Sequence, residues 1–353
     1  MLRPVPPSRE AETVAEIRPL ARSGSAAAMP VSGVHAAAVE SGSPYCAGAI
    51  VGGRYRLARK LGRGGMGEVW SAEHVELHTE VAIKFPAILV QGVAARIVYE
   101  RFRFEAQIAA QLGLLTPHVV AVRDAGNDER GPFLVMEHVK GRTLRALIDE
   151  RGTLPIKLVA VLVEQVAEAL ETAHGFGVAH RDLKPSNLLL VDRPDGAIFV
   201  KVADFGIAKA LRADLSADLP EDTSGGVMVG SPAYMSPEQI GGGGPAAIGD
   251  RWSLAVIAYE ALTGRLPFEG RTFADLFVGL SACRFQRPTA IQPSLPAALD
   301  AFFQRALAKD PAYRFPSARD LARGLRAALA GPPPRALSHR ARRIARRLGL
   351  LGG

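Results

Sequence analysis

The sequence predicts a mixed α+β fold, and three patterns carry the prediction. A glycine-rich stretch, Leu61 to Trp70, is flanked by strand-like residues and followed by the β-branched run Val81-Ala82-Ile83-Lys84. Leu188 to Asp192 and Ile198 to Val202 are short apolar or alternating runs separated by Arg193-Pro194-Asp195-Gly196, which reads as an antiparallel hairpin. Helical periodicity appears between these segments, at Val98, Phe102, Ala109 and Leu112, and the almost continuous apolar run Trp252 to Leu262 reads as a buried helix. That run has eleven residues, too few to span a bilayer.

The glycine stretch has the spacing G-x-G-x-x-G-x-V through Gly62, Gly64, Gly67 and Val69. A strand, a tight turn and a second strand built on it lay backbone N–H groups over phosphate oxygens without interference from Cβ atoms. A dinucleotide-binding turn shares this spacing but opens a helix, whereas here Val69-Trp70-Ser71-Ala72 continue as strand. Lys84, at the end of the next strand, is placed to pair with α/β-phosphates. Glu105 lies on the apolar stripe of the following helix, where a carboxylate is costly unless paired, and Lys84 is the natural partner.

The densest chemistry lies in His180-Arg181-Asp182-Leu183-Lys184-Pro185-Ser186-Asn187, followed after the hairpin by Asp204-Phe205-Gly206. Asp182 is a candidate base, two residues from the cation Lys184 and five from the amide of Asn187. Pairing the hairpin strands brings Asn187 beside Asp204, and an amide oxygen next to a carboxylate suits Mg²⁺, a hard cation that shares its shell with substrate phosphates. Asp182 or Asp204 alone would read equally well as a solvated loop carboxylate. The whole constellation reads as an inventory for phosphoryl transfer.

With these motifs in order, the chain resembles the protein kinase superfamily, most closely the bacterial eukaryotic-like serine/threonine kinases, from about Tyr55 to about Ala330. The resemblance implies a bilobal fold: a small β-rich N-lobe with one main helix (54–136), a hinge (137–141) and a larger helical C-lobe (142–330), with ATP and Mg²⁺, or alternatively Mn²⁺, in the cleft. It implies that Leu61, Val69, Ala82 and Leu189 line the nucleotide site with the glycines, and that Met136 is the gatekeeper. The backbone of Glu137 and Val139 would bond the adenine edge. Asp182 would orient the substrate hydroxyl and accept its proton, Lys84 hold the α/β-phosphates, Asn187 and Asp204 hold the metal, and Lys184 steady the γ-phosphate. Lysine at 184 is the serine/threonine pattern.

The same resemblance makes Gly230 to Glu238 the substrate-docking end of an activation segment, with Ser231 where threonine is usual and Ser236 where alanine is common. Glu238 is expected to pair with Arg314, and Asp250 to receive backbone N–H groups near His180 and Arg181. Gly241 to Gly244 form a tetraglycine where the segment is usually stiffer. Arg181 would form a cationic pocket for a phosphate on the segment, with Thr223 and Ser224 the hydroxyls best placed to carry it, through autophosphorylation and self-association in trans. Thr143 and Ser186 stand where arginine-directed kinases often carry glutamates, so no strong basic-residue preference is implied.

Composition agrees with a folded domain plus tails: 353 residues, 48% hydrophobic and 22% charged. Two cysteines, Cys46 and Cys283, support neither a disulfide framework nor a zinc site, which fits a reducing cytoplasm. With no apolar stretch of about eighteen residues and no h-region after Met1, a cytoplasmic location is expected. Residues 1–53, rich in Ala, Pro, Ser and Gly, read as a disordered leader or linker. Residues 331–353 form a basic tail: Arg335, Arg340, Arg342, Arg343, Arg346 and Arg347 contribute six of the net +8. Ala341, Ile344, Leu348 and Leu351 recur at helical spacing, so the tail reads either as an amphipathic helix for anionic lipid, nucleic acid or an acidic protein, or as a solvated tail with no partner.

Three functional classes follow: a protein serine/threonine kinase acting on protein substrates, a nucleotide-binding pseudokinase scaffold, and a small-molecule phosphotransferase of related fold. The filled catalytic positions favour the first over the second. The docking segment favours it over the third.

Overall fold

The computed structural model describes residues 45–64, 67–86, 93–205, 232–241, 246–270 and 272–331. Strands β1 (Ile50–Val51), β2 (Tyr55–Gly64), β3 (Gly67–His74), β4 (Glu80–Pro86), β5 (Val122–Asp128) and β6 (Gly131–Glu137) form one sheet in the order β1-β2-β3-β4-β6-β5. The glycine stretch forms the β2–β3 connection, with Gly64 paired to Gly67. Gly67 takes φ +127°, which a side chain would resist.

Alternation along β4 assigns its residues to two faces. Val81, Ile83 and Phe85 join Leu57, Trp70, Phe133 and Val135 in one apolar cluster, while Ala82 joins Leu134 and Met136 in another. Helix α1 (Val93–Leu115) covers the second face with Phe102, Ala106 and Ala109, one helical stripe.

Residues 45–53 depart from the expectation of a disordered leader reaching residue 53. Tyr45 is buried, β1 pairs with β2, and Val51 is fully enclosed in the first apolar cluster. The compositional signal was set by the small and polar residues, but a few apolar side chains suffice to dock a short segment on an open sheet face. Residues 1–44, and the tail residues Arg335 to Arg347, lie outside the described residues.

The C-terminal part contains β7 (Arg142–Thr143), α2 (Leu144–Arg151), α3 (Ile156–Gly175), and the hairpin β8 (Leu188–Asp192) and β9 (Ile198–Val202), whose bounds match the sequence reading. Beyond them come α4 (Pro237–Ile240), α5 (Ala246–Thr263), α6 (Phe273–Ala282), α7 (Pro288–Ile291), α8 (Ala298–Ala306) and α9 (Ala318–Leu329). Thr143 caps α2 by accepting from Ala146 N–H, and Ser236 and Gln239 form a capping box on α4. Helix α5 is buried all round from Trp252 to Leu262, as its unbroken apolar run requires. Trp252 stacks against Phe268 at 5.5 Å, with the Arg314 guanidinium 4.6 Å from its ring centre.

Arg314 is 1% exposed and makes a two-pronged ion pair with Glu238, at 2.6 and 2.9 Å, as the sequence led one to expect. Burial pushes the Glu238 carboxyl up, but Arg314 and neighbouring hydrogen bonds outweigh it and hold the group below its ordinary 4.5. Replacing Arg314 by leucine leaves a buried carboxylate unpaired and should cost about 3–5 kcal/mol, measured by denaturant unfolding at neutral pH. Because the folded-state value is depressed, the pair's contribution is present above pH 4.5 and lost as pH falls through the lower folded value. The gap between wild type and Arg314→Leu should therefore narrow on acidification below pH 4.5.

Candidate active site

A large open cleft lies between the six-stranded sheet and the β8–β9 hairpin. Leu61, Gly62, Val69 and Ala82 line it from the sheet, Met136, Glu137 and Val139 from the connection between the two parts, and Asn187, Leu189, Ala203 and Asp204 from the hairpin. Ten nucleotide- or metal-binding residues proposed from sequence are thus brought together. Met136 is also a core residue, 7% exposed, packed in the cluster with Phe102 and Leu134. The Glu137 N–H is already bonded to the Ala121 carbonyl at 2.9 Å, so any contribution of this residue's backbone to an adenine edge falls to its carbonyl. Its side chain accepts from Ala121 N–H at 2.8 Å and pairs with Lys201.

The hairpin explains how the two candidate metal ligands meet. Leu188 pairs with Val202, and Ala203 N–H donates to the Asn187 carbonyl at 2.8 Å, so Asn187 and Asp204 flank the same end of the ribbon. The Asn187 amide nitrogen donates to the Asp182 carbonyl at 2.9 Å, which leaves the amide oxygen for a cation. Asp204 has φ +62° and Arg181 φ +64°, left-handed conformations that non-glycine residues adopt at a cost.

Lys84 is 4% exposed and pairs with Asp204 at 2.6 Å. Sequence reasoning paired it with Glu105. Glu105 lies on α1 as expected, but its side chain is outside the described residues, and the partner observed for Lys84 comes from the far end of the hairpin. Burial raises the Asp204 carboxyl, and the Lys84 charge more than offsets it, with His180 and Lys184 assisting, so the group stays ionised well into the acid range.

Asp182 is buried, and its carboxylate accepts from Lys184 at 2.6 Å. The loop carrying it is fixed from below by Asp250, 1% exposed, which accepts from His180 N–H at 2.7 Å and Arg181 N–H at 2.8 Å. His174 Nε2 also bonds this carboxylate at 2.8 Å. Sequence reasoning missed His174, and it missed the role of the His180 ring: Nε2 donates to the Ala203 carbonyl at 2.9 Å, and Nδ1 accepts from Asp182 N–H at 3.3 Å. A histidine beside two candidate site residues was the available signal. Also missed was the buried Glu260, which accepts from Tyr234 Oη and from Arg145, each at 2.6 Å. Gly206, Thr223, Ser224 and Ser231 lie outside the described residues.

Residues 55–323 match the family model for the protein kinase domain, and the chain belongs to that family. It is homologous to bacterial serine/threonine-protein kinases. Pkn1 of Myxococcus xanthus is 40% identical over 279 residues, covering 79% of this chain and 38% of that protein. PrkC of Bacillus subtilis (strain 168) is 36% identical over 276 residues, 78% of this chain and 40% of PrkC. PknL of Mycobacterium tuberculosis is 36% identical over 270 residues, 76% of this chain and 64% of PknL. The chain thus spans less than two thirds of these relatives. Among solved structures, the Mycobacterium tuberculosis PknI kinase domain superposes with a TM-score of 0.60 at 29% identity, covering 80% of this chain and 99% of that domain.

The Lys84–Asp204 pair yields a binding prediction. Lys84→Met should weaken binding of a non-hydrolysable ATP analogue about tenfold or more, because a desolvated phosphate loses its cation. The protein should still fold, as monitored by circular dichroism, and calorimetric titration of the analogue reads the affinity.

Proposed function

We propose that this chain is an ATP-dependent protein serine/threonine kinase that transfers the γ-phosphate to hydroxyls of protein substrates in bacterial signal transduction. The observation that carries the reading is the grouping of Asp182 and its Lys184 partner with the end of a hairpin bearing Asn187 and an ionised Asp204, next to a cleft lined by Leu61 and Gly62 of the glycine-rich stretch. Asp182 holds the substrate hydroxyl and takes its proton, while Lys184, bonded to Asp182, neutralises charge on the group in transit. Lys84 orients the α/β-phosphates.

The residues fit a divalent cation. Asn187 offers an amide oxygen and Asp204 an ionised carboxylate, a small hard donor set of the kind that leaves room for phosphate oxygens and water. Mg²⁺, or Mn²⁺, would be held by these two oxygens and would supply positive charge to offset that of the phosphates. The segment after residue 231 supports a protein substrate: Glu238–Arg314, Tyr234–Glu260 and Ser253 to the Tyr234 carbonyl at 2.7 Å fasten it as a platform. A pseudokinase scaffold and a small-molecule phosphotransferase are the competing readings, and transfer of label to a protein separates both from the first.

The decisive experiment is incubation of the purified chain with Mg²⁺ and radiolabelled ATP, alone and with generic protein substrates. Wild type should label itself and substrate. Asp182→Asn should lose roughly 10²–10⁴-fold in kcat with nucleotide binding retained, because the loss falls on the chemical step. Equal turnover in the two proteins would remove Asp182 from its role.

Regulation and partners extend the reading. Phosphate on Thr223 or Ser224, delivered by a second copy in trans, would pair with Arg181 and order the activation segment. Thr223→Ala/Ser224→Ala should then lose the activating mass increment seen by intact-mass measurement, along with activity toward other proteins. The arginines from 335 to 347 give the tail a role on anionic lipid, nucleic acid or an acidic protein, peripheral to a membrane in the lipid case. Among the described residues, no helix is long and apolar enough to cross a membrane.

A further inference from the structure

Phe85 follows Lys84 on β4 and points to the opposite face of the sheet, into the outer apolar cluster. Strand β4 is flanked on both sides only as far as Lys84, its last pair with β6 being Lys84 with Leu134. Beyond that point, among the described residues, Phe85 and Pro86 pair only with Glu68 and Gly67, at the end of β3 that borders the glycine turn. The backbone that sets the height of Lys84 in the cleft is therefore held on its far side by a single strand end.

The segment before β2 supplies what the sheet does not. Tyr45 is 8% exposed, and its ring stacks on Phe85 with centroids 3.6 Å apart and planes 18° from parallel. The Arg130 guanidinium, from the β5–β6 turn, lies 5.8 Å from the Tyr45 ring centre, so this one ring links β4 to the opposite edge of the sheet. The segment is tied down behind it: Gly48 N–H donates to the Leu57 carbonyl at 2.8 Å, Leu57 N–H to the Ala49 carbonyl at 2.9 Å, and Ile50 and Val51 pair with β2. A turn from Cys46 to Ala49, with Gly48 at φ +84°, directs Tyr45 back over the sheet.

We propose that residues 45–53 are a strap in which Tyr45 is a positioning residue for Lys84, acting through Phe85. The catalytic unit then begins at Tyr45, ahead of residue 55, where the family match starts. This rests on the kinase reading for its kinetic test. The strap touches neither the nucleotide nor the reacting atoms. Its effect is to fix the end of the strand that presents the phosphate-binding lysine, and it sets how the N-lobe meets ATP without altering the C-lobe platform that meets the protein substrate.

The test uses the full chain carrying Tyr45→Ala, Tyr45→Phe or Tyr45→Leu. Tyr45→Ala should lower kcat/KM for ATP about tenfold and weaken binding of an ATP analogue in parallel, since small misplacements of a phosphate-binding group are costly. KM for the protein substrate should stay at the wild-type value, which general destabilisation would not guarantee. Tyr45→Phe, which keeps the ring, should restore wild-type constants. Tyr45→Leu, which keeps apolar burial without a ring face, should behave like alanine and stands in if the alanine variant does not fold. Wild-type nucleotide affinity and kcat/KM for ATP in Tyr45→Ala or Tyr45→Leu would overturn the proposal. Analogue affinity is read without turnover, so a chain with no transfer activity would sink the kinase reading while leaving the strap decided on its own measurement.

Discussion

A carboxylate buried in the middle of a protein is tolerable only when donors surround it, and Asp250 turns that requirement into architecture. It is 1% exposed, on a helix packed mostly with apolar side chains, and three donors converge on it: two successive backbone N–H groups, of His180 and Arg181, and the His174 ring. Successive N–H groups next to a left-handed residue make the kind of concavity that holds an anion. Arg181 is left-handed, at φ +64°. The strain of that conformation is offset by charge-assisted hydrogen bonds, and Asp182 follows with no freedom to wander. The candidate base is thus placed by an anion beneath it that does no chemistry.

A second ion pair performs the corresponding task across the cleft. Lys84 ends the doubly flanked part of β4 and Asp204 follows the hairpin, so their 2.6 Å contact joins the sheet to the helical part at the point where phosphates would enter. Both side chains are largely withdrawn from water, 6% and 24% exposed, and burial by itself would raise the Asp204 carboxyl. Together they keep Asp204 ionised, the form a metal ligand needs. The His180 ring completes the link, donating to Ala203 on one side and accepting from Asp182 on the other. One buried imidazole therefore ties the candidate base to the chain segment carrying the candidate metal ligand.

Much of this was legible in the sequence, for identifiable reasons. The hairpin bounds were readable because strand period and a Pro-Asp-Gly turn act over a few residues, and the buried helix because its run is almost continuously apolar. The Glu238–Arg314 and Asp250 contacts came only with the family resemblance, since nothing local says that residues so far apart in the chain will meet. The Lys84–Asp204 contact was not legible for the same reason: periodicity shows that Glu105 lies on an apolar stripe but not which anions from distant segments reach Lys84. The docked segment 45–53 was obscured by averaging, because Tyr45, Ile50 and Val51 are diluted among small residues and a two-residue strand has no measurable period.

Helix α5 connects these observations. Asp250, Ser253 and Glu260 fall within a sector of roughly 80° at 100° per residue, spread over about 15 Å of helix at 1.5 Å rise. Asp250 holds the loop with the candidate base, Ser253 donates to the Tyr234 carbonyl, and Glu260 accepts from the Tyr234 hydroxyl and from Arg145 on α2. The loop that carries Asp182 and the segment around Tyr234 are therefore both measured from one face of one buried helix. A helix packed on every side cannot stretch or rotate without opening voids, so the separation of the two is set by the helix repeat and not by the loops themselves.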